Sequence, residues 1–297
     1  MRGESFRMQS GVKLKSLIQS LDDAQNLLDK NANLYPRLRV TSRALRRIAG
    51  RVNRPFRVAI LGESNSGKSS IANLIAGEIA LPALPVANTR IPTLLYYAPV
   101  PVVEALHDSG ERFSLAFNDN VSLEQIVRLE VGLPSKTLAD IEILDFPGSA
   151  NPLFQMDVLA VLRHRVDAAI WATGATQAWR ETERVAWCGL PARLRRRGLL
   201  AVTHRDLITS EDDFRRLRSR LETIAKTHFS ALCFVAASQS RVPGEGIQKL
   251  KEITAADLRS QLDRLRSEFQ TERFEKAVTI TRRLASDALV RIEKREL

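Results

Sequence analysis

The chain has 297 residues, of which 44% are hydrophobic and 27% charged, a composition typical of a folded protein with one large α/β domain and a helical appendage. It has no apolar run of the about 20 residues that a transmembrane helix needs, no secretory signal and only two cysteines, so we expect a reduced, cytoplasmic protein. The net charge of +11 arises in residues 1–54 and 246–297, because residues 55–245 are neutral overall.

Residues 1–54 are predicted to form helices. Apolar residues between Leu14 and Leu28 recur at steps of three and four, which places them on one face of a helix. Pro36 interrupts this pattern, and an arginine-rich helix is predicted from there to Gly50. Such a basic region can bind an anionic membrane surface, nucleic acid or an acidic protein, or can be a solvated surface with no dedicated ligand.

Between residues 55 and 243, short apolar runs alternate with amphipathic stretches, which predicts an α/β domain with a mainly parallel central sheet. Trp171, Trp179 and Trp187 lie eight residues apart there, the last two near one face of a predicted helix, and core packing explains them best. The predicted strands are 56–61, 94–97, 102–106, 112–117, 141–144, 168–173, 199–203 and 232–236. The predicted helices are 67–76, 122–131, 152–165, 178–196 and 211–227.

One long helix is predicted after Pro243-Gly244, with an apolar stripe that includes Leu258 and Phe269. The stripe must be buried, either against the N-terminal helices in a helical bundle, which we expect, or against another protomer. The predicted parts of the chain are an N-terminal helical segment (1–54), a G domain (55–243) and a C-terminal helical segment (244–297).

The strongest motif lies between the first predicted strand and the helix after it. Its pattern, Gly-x4-Gly-Lys-Ser, is typical of a phosphate-binding loop, in which backbone N–H groups converge on phosphate oxygens at the N-terminus of a helix. Lys68 is predicted to reach the β- and γ-phosphates, and the Ser69 hydroxyl to bind Mg²⁺. The residues predicted to cradle the nucleotide are Gly62, Glu63, Ser64, Asn65, Ser66, Gly67, Lys68, Ser69 and Ser70.

Two further segments are predicted to act at the metal and the γ-phosphate. Asp145 closes the strand 141–144 in the sequence Asp-Phe-Pro-Gly, where it can hold Mg²⁺ through water while the amide of Gly148 senses the γ-phosphate. Thr89 is the predicted first-switch ligand of the metal, with Thr93 as the alternative. Arg90 beside it can supply charge to the transition state or can be an ordinary surface arginine.

The base is predicted to meet Thr203-His204-Arg205-Asp206, at the end of a strand where GTPases have [Asn/Thr]-Lys-x-Asp. The Asp206 carboxylate can accept the N1–H and 2-amino donors of guanine, which adenine lacks. Ser238 follows the last predicted strand, where the backbone can meet the guanine O6. His204 replaces the usual lysine, and if that substitution spoils base recognition, the protein is an ATPase instead.

Together these motifs resemble those of the dynamin superfamily, specifically the bacterial dynamin-like GTPases. The segment Thr89-Arg90-Ile91-Pro92 is similar to the Thr-Arg-x-Pro first switch of that family, and the 77 residues from Lys68 to Asp145 resemble the insertion in its G domains. The resemblance covers residues 55–240 well and the flanks only by pattern. It implies an Mg²⁺-dependent GTPase that changes conformation with its nucleotide and hydrolyses GTP faster when two G domains pair.

The resemblance leaves several partners open. Asn65 is similar to the asparagine that helps to bind K⁺ in cation-dependent GTPases, although it can also serve only to stabilise the loop. Full dynamins continue into a stalk and a lipid-binding tip for which 297 residues leave no room, so membrane remodelling is not carried over. We expect a homodimer or paired homologue. The basic helices leave contact with an anionic membrane surface open, and nucleic acid is the less favoured partner. The alternative is an Era-like module whose GTP occupancy gates binding to RNA, the ribosome or a protein.

Overall fold

A computed structural model describes residues 16, 19–26, 29–30, 38–77, 91–115, 125–146, 166–236 and 245–293. Within them the strands are β1 (Phe56–Gly62), β2 (Thr93–Tyr97), β3 (Val102–His107), β4 (Arg112–Leu115), β5 (Ile126–Leu133), β6 (Ile141–Asp145), β7 (Ala168–Gly174), β8 (Gly198–Thr203) and β9 (Ala231–Phe234). The helices are α1 (Leu38–Asn53), α2 (Lys68–Ala76), α3 (Glu181–Cys188), α4 (Ala192–Arg195), α5 (Glu211–His228) and α6 (Glu245–Glu293). Short 3-10 turns occupy Lys136–Ala139, Ala175–Gln177 and Arg205–Leu207.

The strands form one nine-stranded sheet in the order β4-β3-β5-β2-β6-β1-β7-β8-β9. Strands β6, β1, β7, β8 and β9 are consecutive and parallel, so their carboxyl ends lie at one edge. Strand β2 runs antiparallel to β6, and β3 antiparallel to β4 and β5. The predicted α/β fold with a mainly parallel sheet is confirmed, and ligands of such sheets bind outside the carboxyl ends of the strands.

Aromatic side chains fill the core on the side of β7 and β8. Trp171 and Trp187 are fully buried and meet edge to face, with ring centroids 6.0 Å apart. The ring of Trp187 also stacks on Phe229 at 4.3 Å. The predicted packing role of the tryptophans is confirmed for these residues, but Trp179 does not share a helix with Trp187, because it precedes α3 and has a positive φ of 61°.

The prediction of a helix over 122–131 is wrong in its described part, because β5 begins at Ile126. In the structure Glu130 is 6% exposed and forms ion pairs with Arg128 and Arg112. Residues 128–133 alternate polar and apolar side chains, a pattern typical of a strand, and the helix prediction overlooked it.

The prediction of one helix over 178–196 is also wrong. The segment contains two short helices, α3 and α4, separated by Gly189, Leu190 and Pro191. A proline follows the end of α3 and cannot donate the hydrogen bond that would continue it. The predicted helices 67–76 and 211–227 are confirmed by α2 and α5, and the predicted helix 152–165 lies outside the described residues.

The chain divides into two compact units. One unit is Pro55–Asp263, which includes the sheet and the first part of α6, and the other is Met1–Arg54 with Arg264–Leu297. The predicted boundary at 243/244 stays a prediction, and the compact unit extends twenty residues beyond it. In the second unit, Arg273 donates to the carbonyl oxygens of Val52 and Arg54 at 2.9 and 2.7 Å, which satisfies the C-terminus of α1.

The long C-terminal helix is confirmed, since α6 runs from Glu245 to Glu293. The arginine-rich N-terminal helix is also confirmed, and it ends at Asn53 and not at Gly50. Among the helices described, none combines the length and the apolar character that a membrane span requires.

Candidate functional site

Two glycines shape the predicted phosphate loop between β1 and α2. Gly62 has a φ of 147°, and a Cβ there would lie 2.3 Å from the carbonyl oxygen of Ala172 in β7. Gly67 has a φ of 79°, and a Cβ there would lie 3.0 Å from the side chain of Thr203 in β8. The loop is therefore pressed against the two neighbouring strands, and only glycine fits at these positions without strain.

The residues between these glycines differ in exposure. Ser64 and Asn65 are exposed, and Asn65 has a φ of 60°, a conformation that asparagine tolerates better than most residues. Ser66 is buried, and its hydroxyl has no hydrogen-bond partner within the described part of the chain. Ser70, in the first turn of α2, is partly exposed. A buried hydroxyl without a partner is costly unless a ligand satisfies it.

Lys68 begins α2 with its ammonium group folded back over the loop. The side chain is 7% exposed, and Nζ donates a hydrogen bond of 2.6 Å to the carbonyl oxygen of Glu63. Burial lowers the pKa of Lys68, and the nearby charge of Asp145 opposes that shift. The lysine is thus desolvated inside the loop, where its attraction for an anion is stronger than at the surface.

Ser69, in the first turn of α2, contacts Asp145 at the end of β6. The Ser69 hydroxyl donates to Oδ2 of Asp145 at 3.2 Å. Burial raises the pKa of Asp145 to about 6, against the opposing effects of the Lys68 charge and the Ser69 hydrogen bond. The second oxygen, Oδ1, is buried and has no hydrogen-bond partner among the residues that the structure describes. A carboxylate in this condition is suited to a cation or to ordered water.

The predicted switch residues are only partly described. Thr93 is buried at the start of β2 and is paired in register with Asp145 of β6. Thr89, Arg90 and Gly148 lie outside the described residues. The choice between Thr89 and Thr93 therefore stays a prediction, although Thr93 is a strand neighbour of the predicted metal ligand.

Thr203 connects the predicted base-binding segment to the phosphate loop. Its hydroxyl is fully buried, 2.8 Å from the carbonyl oxygen of Ser66 and 3.2 Å from that of Thr173. His204 has a φ of 58°, and its Nδ1 lies 3.0 Å from the same hydroxyl. The tautomer of His204 decides which of these two atoms is the donor.

Arg205 is held away from a ligand role by several contacts. Its guanidinium donates to the carbonyl oxygen of Ile208 at 2.7 Å, pairs with Glu211 at 3.2 Å and stacks over the ring of Phe214 at 3.6 Å. The arginine thus fixes the turn that carries Asp206, which is partly exposed.

The end of β9 lies beside this turn. The carbonyl oxygen of Val235 accepts a hydrogen bond of 3.2 Å from the backbone N–H of Arg205. The N–H of Ala236 donates to the Thr254 hydroxyl of α6 at 3.1 Å. Ser238 lies outside the described residues, but the two residues that lead toward it are anchored next to the predicted base-binding segment.

Sequence reasoning missed two residues that contact the phosphate loop. Thr182 donates to the carboxylate of Glu63 at 2.8 Å, and Arg180 forms an ion pair with it. Both residues belong to the turn and helix after β7, where no known motif drew attention to them. The available signal was Glu63 itself, because an acidic residue in a phosphate loop needs a compensating cation.

Comparisons with known proteins agree with this geometry. No family model matches the chain. It is 31% identical over 116 residues to the isoniazid-induced protein IniC of Mycobacterium tuberculosis, which covers 36% of this chain and 24% of that protein. It is 23% identical over 227 residues to dynamin-like protein 2 of Campylobacter jejuni, which covers 74% of this chain and 37% of that protein. The alignments thus span about a quarter to a third of the curated relatives.

Solved structures give the same result for the fold. A structure of an oligomerised bacterial dynamin pair, described as a mechanism for long-range sensing and tethering of membranes, matches 80% of this chain and 39% of that chain, with a TM-score of 0.58 and 18% identity. A second structure of such a pair matches with a TM-score of 0.57 and 19% identity. The resemblance to bacterial dynamins is therefore confirmed at the level of the fold.

Proposed function

We propose that this chain is a dynamin-like GTPase, which binds GTP on the loop between β1 and α2 and hydrolyses it with Mg²⁺. The observation that carries the proposal is the meeting of Lys68, Ser69 and Asp145 at the carboxyl ends of β1 and β6. The residues belong to separate segments, and their roles at a triphosphate are complementary. The fold, shared with bacterial dynamins, supports the same assignment.

The chain's own residues act on the phosphates by position and charge. Backbone N–H groups of the loop and the N-terminus of α2 bind the phosphate oxygens. The desolvated ammonium group of Lys68 moves from the Glu63 carbonyl toward the β- and γ-phosphates and neutralises the charge that develops there. The Ser66 hydroxyl, buried without a partner in the described part of the chain, is suited to donate to a phosphate oxygen.

The residues present fit a magnesium ion. Ser69 and Asp145 would hold Mg²⁺, with Thr89 or Thr93 as the switch ligand, and the partnerless Oδ1 of Asp145 supports this donor set. When bound, Mg²⁺ would supply positive charge that neutralises the phosphates. Asp145 must be ionised to serve, and with a pKa of about 6 it is ionised at neutral pH.

Asp206 is proposed to select guanine. The Thr203 hydroxyl fixes the distance between the base-binding segment and the phosphate loop, because it lies 2.8 Å from the Ser66 carbonyl. Arg205 holds the turn from the other side. His204 replaces a lysine stem with a ring whose Nδ1 contacts Thr203, so the segment has a different anchor from the usual one. Competition of ATP and GTP for a labelled guanine nucleotide distinguishes a GTPase from an ATPase.

Potassium dependence tests the second role of Asn65. The left-handed backbone of Asn65 alone explains an asparagine at this position. Asn65→Gly keeps that backbone conformation and removes the side-chain amide that would bind K⁺. If K⁺ acts through Asn65, turnover in K⁺ exceeds that in Na⁺ for the wild type and not for the variant. Equal turnover of the wild type in K⁺ and in Na⁺ would show that Asn65 serves only to stabilise the loop.

We propose that GTP hydrolysis is slow in the single chain and faster when two G domains pair. The measurement is GTP turnover per molecule as the protein concentration is raised. Pairing predicts specific activity that increases with concentration and then saturates. A specific activity that does not change with concentration would remove pairing but would leave hydrolysis by the single chain intact.

The partner of the basic helices is proposed to be an anionic membrane surface. Arg39, Arg43, Arg46 and Arg47 are exposed on α1, although Arg46 also pairs with Asp29. Co-sedimentation with vesicles of neutral and anionic lipid, at two salt concentrations, is the test. Salt-sensitive binding to the anionic vesicles alone supports the proposal, and salt-sensitive RNA binding without vesicle binding would favour the Era-like alternative.

A further inference from the structure

Glu63 places a carboxylate in the loop that is proposed to hold phosphates. Its carbonyl oxygen lies 2.6 Å from Nζ of Lys68, so the residue is beside the proposed phosphate site. Its side chain is only 16% exposed, and solvent screens its charge incompletely. An unpaired carboxylate here would repel a bound triphosphate.

Two residues bind the carboxylate of Glu63. The Thr182 hydroxyl donates to Oε1 of Glu63 at 2.8 Å, and the guanidinium of Arg180 forms an ion pair with Oε2. Each oxygen therefore has its own donor, and one of the donors is positively charged. Thr182 is 119 residues from Glu63 in the sequence, so the contact depends on the fold and not on the loop itself.

A buried carboxylate holds the turn that carries Arg180. Oε2 of Glu183 accepts hydrogen bonds from the Arg180 N–H at 2.8 Å and from the Thr173 hydroxyl at 3.1 Å. Oε1 of Glu183 accepts a hydrogen bond of 3.1 Å from the indole N–H of Trp171. The start of α3 is thereby tied to the end of β7, the strand next to the phosphate loop in the sheet.

The residue before Arg180 is in a strained conformation. Trp179 has a φ of 61°, which is uncommon for a bulky side chain. Its N–H donates to the Thr173 hydroxyl at 3.2 Å, and its ring packs edge to face on Phe229 with centroids 5.0 Å apart. Such strain persists only where the surrounding contacts hold it, so the turn keeps a fixed path and presents Arg180 in one place.

We propose that Arg180 and Thr182 form a clamp on Glu63, and that Arg180 is the positioning residue that neutralises the phosphate loop for a triphosphate ligand. The clamp rests on the proposed function, because it requires that the loop bind a nucleotide. Repulsion between like charges scales with the charge of the ligand. The loss of Arg180 must therefore weaken the binding of a triphosphate more than that of a diphosphate.

The test measures how nucleotide affinity changes when the net charge of the Glu63–Arg180 pair is changed. Fluorescent GDP and a fluorescent non-hydrolysable GTP analogue are titrated, with Mg²⁺ present, into the wild type, Arg180→Ala, Glu63→Gln and the double variant. Arg180→Ala leaves the pair with one negative charge. It should lower the affinity for the GTP analogue about tenfold and the affinity for GDP by a smaller factor. Glu63→Gln leaves one positive charge and should bind the analogue more tightly than the wild type. The double variant is neutral and should return to within about threefold of the wild type.

Two further variants separate the clamp from a structural role. Arg184→Ala removes an exposed arginine of α3, the helix that follows Arg180. Arg184 pairs with Glu181, and its removal should leave both affinities unchanged. Arg180→Gln removes the charge while keeping a hydrogen-bond donor, and should behave like Arg180→Ala. A purely structural defect would lower the affinities for both nucleotides equally and would not be rescued by Glu63→Gln.

The outcomes distinguish the two proposals. If the wild type binds the nucleotides but the affinities do not follow the charge of the pair, the clamp is overturned and the proposed function stands. If the wild type binds neither nucleotide, the proposed function fails and the clamp fails with it. The clamp would also be overturned if Arg180→Ala lowered the affinity for the GTP analogue by the same factor in the wild type and in the Glu63→Gln variant.

Discussion

The hydroxyl of Thr203 lies 2.8 Å from the carbonyl oxygen of Ser66, although the two residues are 137 positions apart in the sequence. The contact joins the end of β8 to the phosphate loop, and both groups are buried. Thr203→Val keeps the shape of the side chain and removes the hydroxyl. We expect a loss of about 1–3 kcal/mol in the free energy of unfolding, because buried carbonyls lose a donor. Urea unfolding measures it.

The matched control for this substitution is Thr223→Val on the exposed side of α5, where the hydroxyl bonds only to the Ser219 carbonyl of its own helix. We expect a change within about 0.5 kcal/mol there. Equal stabilities for wild type and Thr203→Val would show that the contact does not hold the two segments together.

Lys68→Ala should abolish the binding of guanine nucleotides. The variant removes the only side chain that places an ammonium group inside the described part of the phosphate loop, and we expect an affinity loss of about 100-fold or more. Calorimetry with Mg²⁺ measures the affinity, and far-ultraviolet circular dichroism checks the fold. Lys136→Ala, at an exposed turn, should bind as the wild type does. Undiminished binding by Lys68→Ala would contradict the proposed site.

Asp145→Asn should stabilise the nucleotide-free protein at neutral pH. Burial raises the pKa of Asp145 from its ordinary value of 3.8 to about 6 in the folded protein, so the folded state binds more protons than the unfolded state between these two values. The free energy of unfolding therefore falls as the pH rises from about 4 to 6, by about 2–3 kcal/mol in all. Asparagine does not ionise, so the variant does not lose this stability. Asp145→Asn should therefore be more stable than the wild type at pH 7.5 but not at pH 4.

The measurement for Asp145→Asn is urea unfolding in a chelator at both pH values. The control is Asp212→Asn, since Asp212 is 69% exposed and pairs only with Arg215 of its own helix. A stability difference between the wild type and Asp145→Asn that is the same at pH 4 and pH 7.5 would contradict the raised pKa. The variant should also lose Mg²⁺-dependent turnover, because an amide lacks the negative charge of the carboxylate.

Asp206→Asn should change the choice of base. The carboxylate accepts two donors from guanine, whereas an amide offers one acceptor and one donor, so GTP should lose about 100-fold in affinity. Xanthine carries a carbonyl in place of the 2-amino group and should bind the variant better than it binds the wild type. Competition of GTP, XTP and ATP for a labelled nucleotide measures the change. A GTP preference that survives the substitution would place base recognition elsewhere.

Much of this organisation could be predicted from the sequence where local patterns and structure coincide. The glycines of the phosphate loop, Lys68 and the strand before them form one continuous segment, and α2 begins where the pattern predicts it. The strand β5 was mistaken for a helix although residues 128–133 alternate polar and apolar side chains, as a strand does. The burial of Glu130 could not be predicted, because its ion pair with Arg112 of another strand depends on the fold.

The site was predicted in the same uneven way. Lys68, Asp145 and Asp206 belong to recognisable motifs, so residue type and spacing alone were enough to propose them. Arg180 belongs to no motif, and it reaches Glu63 only because Glu183 and Trp179 fix the turn that carries it. Contacts of this kind depend on the relative positions of β1 and β7, which no short segment encodes.

The contacts of α6 determine where the sheet-bearing unit can be cut. Leu258 and Leu262 are buried in that unit, Arg259 donates to the Leu74 carbonyl at the end of α2, and Thr254 holds Ala236 beside the base-binding turn. A fragment that stops at residue 243 would expose this apolar surface to water and free the turn next to Asp206. Expression of the sheet-bearing unit alone should therefore retain the chain through Asp263, and a shorter fragment should aggregate for reasons unrelated to the proposed nucleotide site.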